Sequence, residues 1–350
     1  MSNLLNVLKR SVLETLWVAA YLASGFSLLV SSPAAANDFS VAPNRLLLIA
    51  AENGDFTKTQ QALLAGANPN AQDTAGNSAL MLAVAAPSAR LLDLVNLLLS
   101  YGADVKHFNL AGETPLMWAV ANCAPATVVV QRCATPNCSL QLKAVVEALL
   151  AHGADVQARS NNNETVLMWA VTSQSPLVVQ IVQLLIAHGA PLVTQSNRGD
   201  TALMWAAVSC NTQVVALLQT LIAASSGVTA QNNFINAQNN LGMTALMWAA
   251  AWSLNPLVVA VANTLLAAEA DVNLTDNYGR TALTFASTVS NNLQVPNLIL
   301  ALLQAGATSD INRSRPVLQI ANLLAASTHN LALLLAGPVL SQHWPLKQLS

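Results

Sequence analysis

The sequence predicts an all-α fold in which helix-turn-helix units stack on one another to form a solenoid. The first observation is a six-residue phrase, Thr-x-Leu-Met-Trp-Ala in its clearest form, that recurs along the chain. Four full copies and two weaker ones begin at Ser78, Thr114, Thr165, Thr201, Thr244 and Thr281. The second is a Leu-Leu-x-x-Gly-Ala signature, clearest at Leu98–Ala103, Leu149–Ala154 and Leu302–Ala307. Two signatures that recur in phase indicate a repeat architecture.

The repeats keep a period in the middle thirties. Glycine stands two residues before the Thr or Ser in most copies, and Asn163 replaces it in one. The spacings along this position are 36, 51, 36, 43 and 37 residues. This period and the Thr-Pro-Leu-x-x-Ala core resemble the ankyrin repeat, from about Val41 to Asn312. The resemblance implies an ankyrin-repeat solenoid over residues 42–312, with about seven helix pairs joined by hairpin-like loops.

The phrase itself explains why the units stack. Its Thr or Ser precedes a helix, where the hydroxyl caps free backbone N–H groups. The Leu two places later and the Ala five places later are three apart, so both lie on one buried helix face. Met follows the Leu in five copies, where the ankyrin pattern usually has a hydrogen-bonding His. We therefore expect this array to depend more on packing and less on a polar network than its family does.

The third repeat is longer than its neighbours. Trp118 lies 35 residues before Gly153, whereas the equivalent distance from Trp169 to Gly189 is 20 residues. The difference predicts an insertion near 121–141. In the sixth repeat Glu269 occupies the place where glycine normally takes a positive φ. Residues 313–350 lack both signatures and are predicted to be a degenerate capping repeat and tail, which covers the last apolar face.

Composition excludes one class of partner. The chain has 350 residues, of which 54% are hydrophobic and only 9% are charged, with a formal net charge of −2. A nucleic-acid-binding protein needs a basic face to displace counterions, and no basic run occurs past Arg10. The composition therefore argues against a nucleic-acid partner, and the resemblance to ankyrin-repeat proteins implies that the partner is another protein.

Residues 1–36 are predicted to be an export signal. Lys9 and Arg10 precede a mostly apolar run, Leu16–Val30, and small residues at Ala34 and Ala36 fit cleavage after Ala36. The prediction is an exported protein, periplasmic or extracellular. The alternative is an uncleaved helix that anchors the protein to a membrane, although the run is short for a span of about 20 residues.

The cysteines suggest disulfide chemistry in an exported protein. The candidates are Cys123, Cys133, Cys138 and Cys210. A Cys133–Cys138 bridge would close a small loop, and Cys123 and Cys210 could join if the insertion folds back. Direct pairing of these two is harder, because two repeats separate them by roughly 20 Å at about 10 Å per helix layer, beyond disulfide reach. We favour at least one bridge without assigning the pairing; the alternative is four reduced, half-buried thiols.

Two groups of residues are candidates for partner binding. The first is an aromatic column at one position of the phrase: Trp118, Trp169, Trp205 and Trp248. Such a column forms either an exposed strip that anchors a partner or filling between inner helices, and both interpretations stay open. The second group occupies the hairpin tips, which usually contact the partner in ankyrin proteins: His107, Phe108, Arg159, Arg198, Asp200, Asp276, Tyr278 and Arg280.

No pattern points to catalysis, a cofactor or a metal. The chain contains no zinc-protease, nucleophile-elbow, dinucleotide or phosphate-loop motif. His152 and His188 precede glycine in consecutive repeats, but neighbouring repeats hold them about 10 Å apart, too far to share a zinc ion. A polar group at a helix C-terminus explains them better. The sequence therefore predicts a binding protein and not an enzyme.

Overall fold

The computed structural model describes residues 43–121, 141–225, 234–251, 256–288 and 294–308. The predicted signal segment at 1–36, most of the insertion, and the predicted cap at 313–350 lie outside these ranges, as do Cys123, Cys133 and Cys138. Within the ranges the regular structure is helical, with isolated antiparallel bridges at Gln72–Ser78 and Arg159–Thr165. The all-α prediction is confirmed.

The chain divides into two compact units. One comprises the described residues through Asp155 together with Ser173–Leu177, and the other comprises Val156–Thr172 and the described residues from Val178 onward. Each unit is built from pairs of helices, in which the first helix of the pair is called inner and the second outer.

The first unit contains three helix pairs within the described ranges. They are α1 (Pro43–Glu52) with α2 (Phe56–Leu64), α3 (Ala79–Ala85) with α4 (Leu91–Ser100), and α5 (Pro115–Ala121) with α6 (Leu142–Ala151). The inner helices α1, α3 and α5 pack in chain order, and so do the outer helices.

The second unit repeats the same plan with four pairs. They are α7 (Val166–Val171) with α8 (Val178–Ala187), α9 (Ala202–Ala207) with α10 (Val214–Ser225), α11 (Ala245–Ala251) with α12 (Val258–Ala267), and α13 (Ala282–Thr288) with α14 (Val295–Gln304). Inner packs on inner and outer on outer along the unit.

The predicted caps begin the inner helices. In every copy of the phrase the first hydroxyl accepts a hydrogen bond from the backbone N–H three residues later, at 3.2–3.4 Å. The side chain thereby satisfies a donor that the helix itself leaves open. It also fixes where the helix begins, and thus which side chains face the core.

The core positions of the phrase are buried as predicted. Its Leu, Met and Ala side chains are at most 2% exposed throughout. The buried leucines are Leu80, Leu116, Leu167, Leu203, Leu246 and Leu283, and the buried methionines are Met81, Met117, Met168, Met204 and Met247. Glu269 takes the positive φ predicted for it, at 65°, and Asn163 replaces a hairpin glycine at 59°.

Glycine serves two different purposes in the second unit. Gly189, at the end of an outer helix, has a φ of +86° and open space where a Cβ would be. Gly199, in the following hairpin, has a φ of +78°, and a Cβ there would lie 2.8 Å from the backbone nitrogen of Asn240 in the next hairpin. Gly189 is required only for its backbone conformation, whereas Gly199 also allows the next hairpin to approach closely.

This difference predicts unequal costs for the same substitution. Gly189→Ala should lower the free energy of unfolding by roughly 1 kcal/mol, because only backbone strain is added. Gly199→Ala should cost about 1–3 kcal/mol more, because the added methyl group also forces neighbouring hairpins apart. Urea unfolding of both variants beside the wild type measures the difference, and equal midpoints for the two variants would contradict the close approach.

Candidate protein-binding site

Six hairpins between the helix pairs share one internal hydrogen-bond pattern. Each has Asp, Asn or Ser five residues before the capping Thr or Ser. The side-chain oxygen of this residue accepts from the backbone N–H groups two and four residues later, at 2.8–3.2 Å. The residues are Asp73, Asn109, Ser160, Ser196, Asn239 and Asp276. Their side chains hold the turn together, as Asx and Ser turns do elsewhere.

Neighbouring hairpins of the second unit are joined by backbone hydrogen bonds. The N–H of the second residue in one hairpin donates to the carbonyl oxygen of the third residue in the hairpin before it. The bonds run from Asn197 to Asn162, from Asn240 to Arg198 and from Asn277 to Leu241, at 2.8, 2.8 and 3.0 Å. Consecutive tips are therefore in direct contact.

Side-chain amides reinforce these contacts in both directions along the unit. In one direction Asn197, Asn240 and Asn277 each donate through Nδ2 to the carbonyl oxygen of the preceding second-position Asn, at 2.8–3.0 Å. In the other, Asn163, Gln195 and Gln238 donate to a carbonyl oxygen of the next hairpin, at 2.7, 3.1 and 2.9 Å. We call these six side chains the amide ladder.

The third position of each hairpin in the second unit carries an exposed side chain. We call the four residues the tip row: Asn162, Arg198, Leu241 and Tyr278. The side chains of Leu241 and Tyr278 are 51% and 66% exposed, which is high for large apolar groups. The tip row thus presents four side chains of different chemical character, an amide, a guanidinium, an aliphatic group and a phenol, on hairpins that share one backbone conformation.

The predicted tip residues differ in how far they are exposed to solvent. Phe108, Arg159, Arg198 and Tyr278 are exposed, and His107 is half-buried with its Nε2 2.7 Å from the carbonyl oxygen of Gly76.

The prediction that Asp200 and Asp276 are exposed tip residues is wrong. Their side chains are 2% and 4% exposed. Asp276 is the first residue of its hairpin and bonds the hairpin's own backbone, whereas Asp200 accepts a hydrogen bond from Nδ2 of Asn239, at 2.8 Å. Both carboxylates belong to the framework beneath the tips.

Arg280 links the last described hairpin to its inner helix. Its guanidinium lies 2.7 Å from the Asp276 carboxylate. The guanidinium carbon also lies 5.0 Å from the Tyr278 ring centroid and 4.5 Å from that of Phe285, both within cation–π range. The half-buried arginine therefore contacts both the Asp276 carboxylate and the Tyr278 ring.

The aromatic column is neither fully exposed nor fully buried. In the first unit Trp118 is half-buried, and its indole N–H donates to the Glu113 carboxylate at 2.8 Å. In the second unit Trp169 is 7% exposed, whereas Trp205, Trp248 and, in the same position, Phe285 are half-buried on consecutive inner helices. The rings are therefore buried to different degrees along the column, and in the second unit Trp205, Trp248 and Phe285 leave part of their surface exposed.

Comparison with protein families identifies the repeats. A model described as ankyrin repeats (3 copies) matches residues 47–130 and 134–225, and a model of the single ankyrin repeat matches residues 241–277. The chain belongs to the ankyrin-repeat family.

The fold comparison agrees with this ankyrin assignment. The crystal structure of the human ASB11 ankyrin repeat domain is similar to this chain, with a TM-score of 0.55 and 20% sequence identity. The match covers 75% of this chain and 98% of that domain, and at this identity it shows a shared fold. No curated protein matches the chain.

The ankyrin helices explain the two histidines. His152 and His188 end outer helices, and each ring Nδ1 lies 2.8 Å from the carbonyl oxygen four residues earlier. This placement agrees with the prediction of a polar group at a helix C-terminus. Among the described residues, no group of three or more His, Cys, Asp or Glu side chains is arranged to hold a metal ion. Cys210 is exposed.

None of the helices in the described ranges combines the length and the apolar character that a membrane span requires.

The amide ladder is expected to contribute measurably to stability. Asn240→Ala removes one rung and should lower the free energy of unfolding by about 1 kcal/mol. Asn162→Ala is the matched control, since this exposed Asn lies on a tip but donates no ladder bond, and it should change stability by less than about 0.5 kcal/mol. Chemical unfolding measures the stability of both variants. If Asn162→Ala lowers the free energy of unfolding as much as Asn240→Ala, the ladder bonds contribute no more than an ordinary tip side chain.

Proposed function

We propose that this chain is an exported ankyrin-repeat scaffold that binds another protein and catalyses no reaction. Ankyrin repeats indicate a scaffold for protein–protein interaction, and that coarser role follows from the family. The finer proposal concerns where the protein acts and which surface it uses. The surface is the tip row of the second unit together with the exposed edges of its aromatic column.

One observation carries the choice of surface. In each hairpin the first residue and the capping Thr or Ser bond the hairpin or helix backbone, so these positions are committed to structure. In the four hairpins of the second unit the third position is exposed and differs from repeat to repeat. A constant framework that presents varied side chains supports a specific binding edge, because specificity requires side chains that vary without loss of the fold.

Sequence features support export. The Leu16–Val30 run, the preceding basic residues and the Ala34-x-Ala36 site have the order of a cleavable signal. In an exported protein the four cysteines would meet oxidising conditions, and at least one disulfide is part of the proposal. The second candidate function is a membrane-anchored scaffold held by an uncleaved Leu16–Val30 helix, which the apolar character of that run favours.

Export predicts a defined mature N-terminus. Fractionation followed by N-terminal sequencing should recover a soluble chain that begins at Asn37. Recovery of the intact N-terminus in the membrane fraction would instead support the anchored scaffold.

The binding edge predicts a loss of partner on tip substitution. The double variant Arg198→Ala and Tyr278→Ala should lose most partner recovered from the exported fraction, because interface energy is concentrated in residues such as Arg and Tyr. The matched control is Gln183→Ala with Gln219→Ala, two exposed residues on the outer helices α8 and α10. Quantitative pull-down measures recovery, and thermal unfolding confirms that both variants remain folded.

Equal recovery by the tip variant and the wild type would exclude the tip row as the binding edge. Equal losses in the tip variant and the outer-helix control would likewise exclude it, since the effect would then be unspecific.

A further inference from the structure

We propose that the tip row binds an extended peptide segment of the partner, which places one acidic and two apolar side chains, in that order, on the tips of Arg198, Leu241 and Tyr278 at intervals of about three residues, in either chain direction. This inference rests on the proposed function, since it specifies what the same edge takes. It follows from three properties of the tips: their spacing, the order of their side chains and their rigidity.

The spacing of the tips matches an extended chain. Consecutive tips are joined by single backbone hydrogen bonds, at 2.8 Å between Asn240 and Arg198 and 3.0 Å between Asn277 and Leu241. They belong to stacked helix pairs, whose layers are separated by about 8–10 Å. An extended peptide rises about 3.3 Å per residue, so three of its residues cover one repeat. Side chains i, i+3 and i+6 can therefore meet three successive tips.

The charged groups that a partner meets on these hairpins are arginines. In the four hairpin segments 159–165, 195–201, 238–244 and 275–281, Arg159 and Arg198 are the exposed charged side chains. The carboxylates of the same hairpins are at most 7% exposed: Glu164, Asp200 and Asp276. Each of them accepts a hydrogen bond within the framework. A partner carboxylate thus finds cationic donors at this end of the row, and the exposed carboxylates Asp155, Glu269 and Asp271 lie outside these segments, nearer in sequence to the outer helices.

The order of side chains sets the order of the partner's residues. After Arg198 the next two tips carry Leu241 and Tyr278, whose exposed surfaces are apolar. Burying such surface against apolar partner side chains supplies binding energy in proportion to the area covered. Tyr278 is the strongest anchor, because its large aromatic ring supplies much contact area and loses little side-chain conformational entropy on binding.

The tips are held in place before any partner arrives. The amide ladder and the backbone bonds between hairpins fix the position of each tip relative to the next. Arg280, paired with Asp276, stacks against the Tyr278 ring. Little ordering of the protein is then required on binding, which favours recognition of a peptide that is flexible when free.

The test uses synthetic peptides and the full chain. The probe is a fluorescein-labelled peptide of about twelve residues, long enough to extend over three tips. It has a Ser/Gly background with Glu at one position and Leu three and six residues later, and a second probe places the same pattern in the reverse chain direction. One control peptide has the same composition with both Leu residues next to the Glu, and another has Lys in place of Glu.

Fluorescence polarisation should show saturable binding of one of the two patterned probes. It should bind roughly fivefold or more tightly than the control with clustered Leu residues, since only the spaced pattern reaches successive tips. Its affinity should fall as salt is raised, because the Arg198 contact is exposed and screened. Equal binding of spaced and clustered peptides would overturn the inference.

Variants separate the charge contact from the apolar contacts. Arg198→Glu should weaken binding of the acidic probe roughly tenfold and shift the preference to the Lys probe, because the charge pairing is reversed. Tyr278→Ala should weaken binding of the acidic probe and of the Lys probe roughly fivefold each. Gln219→Ala should change the affinity of neither peptide. An unchanged preference in Arg198→Glu would overturn the inference. If the tip variant loses partner from the exported fraction while no peptide binds, the inference fails and the proposed function remains.

Discussion

The structure depends on burial between neighbouring inner helices. From α3 onward these helices are only six or seven residues long. Isolated helices shorter than about twelve residues are marginal in water, because nucleation is costly. Within each unit, these helices are therefore stable because their Leu, Met and Ala side chains pack against neighbouring inner helices. The same constraint frees the hairpin tips, since the core is complete without them.

The sequence predicts the parts of this design that repeat without variation. The capping hydroxyls, the buried Leu and Ala positions and the positive φ of Glu269 all follow from the alignment of one repeat on another. Repetition makes such positions visible because the same local physics recurs in each copy. About seven repeats of fold can thus be derived from two short signatures.

The candidate site is less predictable, because acidic turn residues serve two purposes. An Asp in a turn either faces solvent or bonds the backbone of its own turn, and sequence alone does not distinguish them at first sight. Asp276 and Asp200 are buried for different reasons, one as a turn-former and the other as an acceptor for Asn239. A signal existed for Asp276: an Asp, Asn or Ser stands five residues before the cap in all six hairpins. The unequal exposure of the tryptophans carried no such signal, since ring exposure depends on the distance between neighbouring helices.

The low charge of the chain has a structural counterpart. Methionine stands at the usual position of a hydrogen-bonding histidine in five inner helices and is buried there. Hydrogen bonding between repeats is nevertheless plentiful, because Asn and Gln side chains supply it at the tips. These residues satisfy backbone groups without adding charge. The chain therefore combines few ionisable residues with a well-bonded surface.

The neutrality of the amide ladder determines how the edge responds to its surroundings. Amide groups neither gain nor lose protons across the ordinary range of acidity, and their hydrogen bonds are not ion pairs that added electrolyte screens. The amide hydrogen bonds between consecutive tips therefore do not depend on the acidity or the salt concentration of the surrounding solution. Added salt would screen the exposed arginines that a partner meets, whereas the amide hydrogen bonds that position the tips would persist.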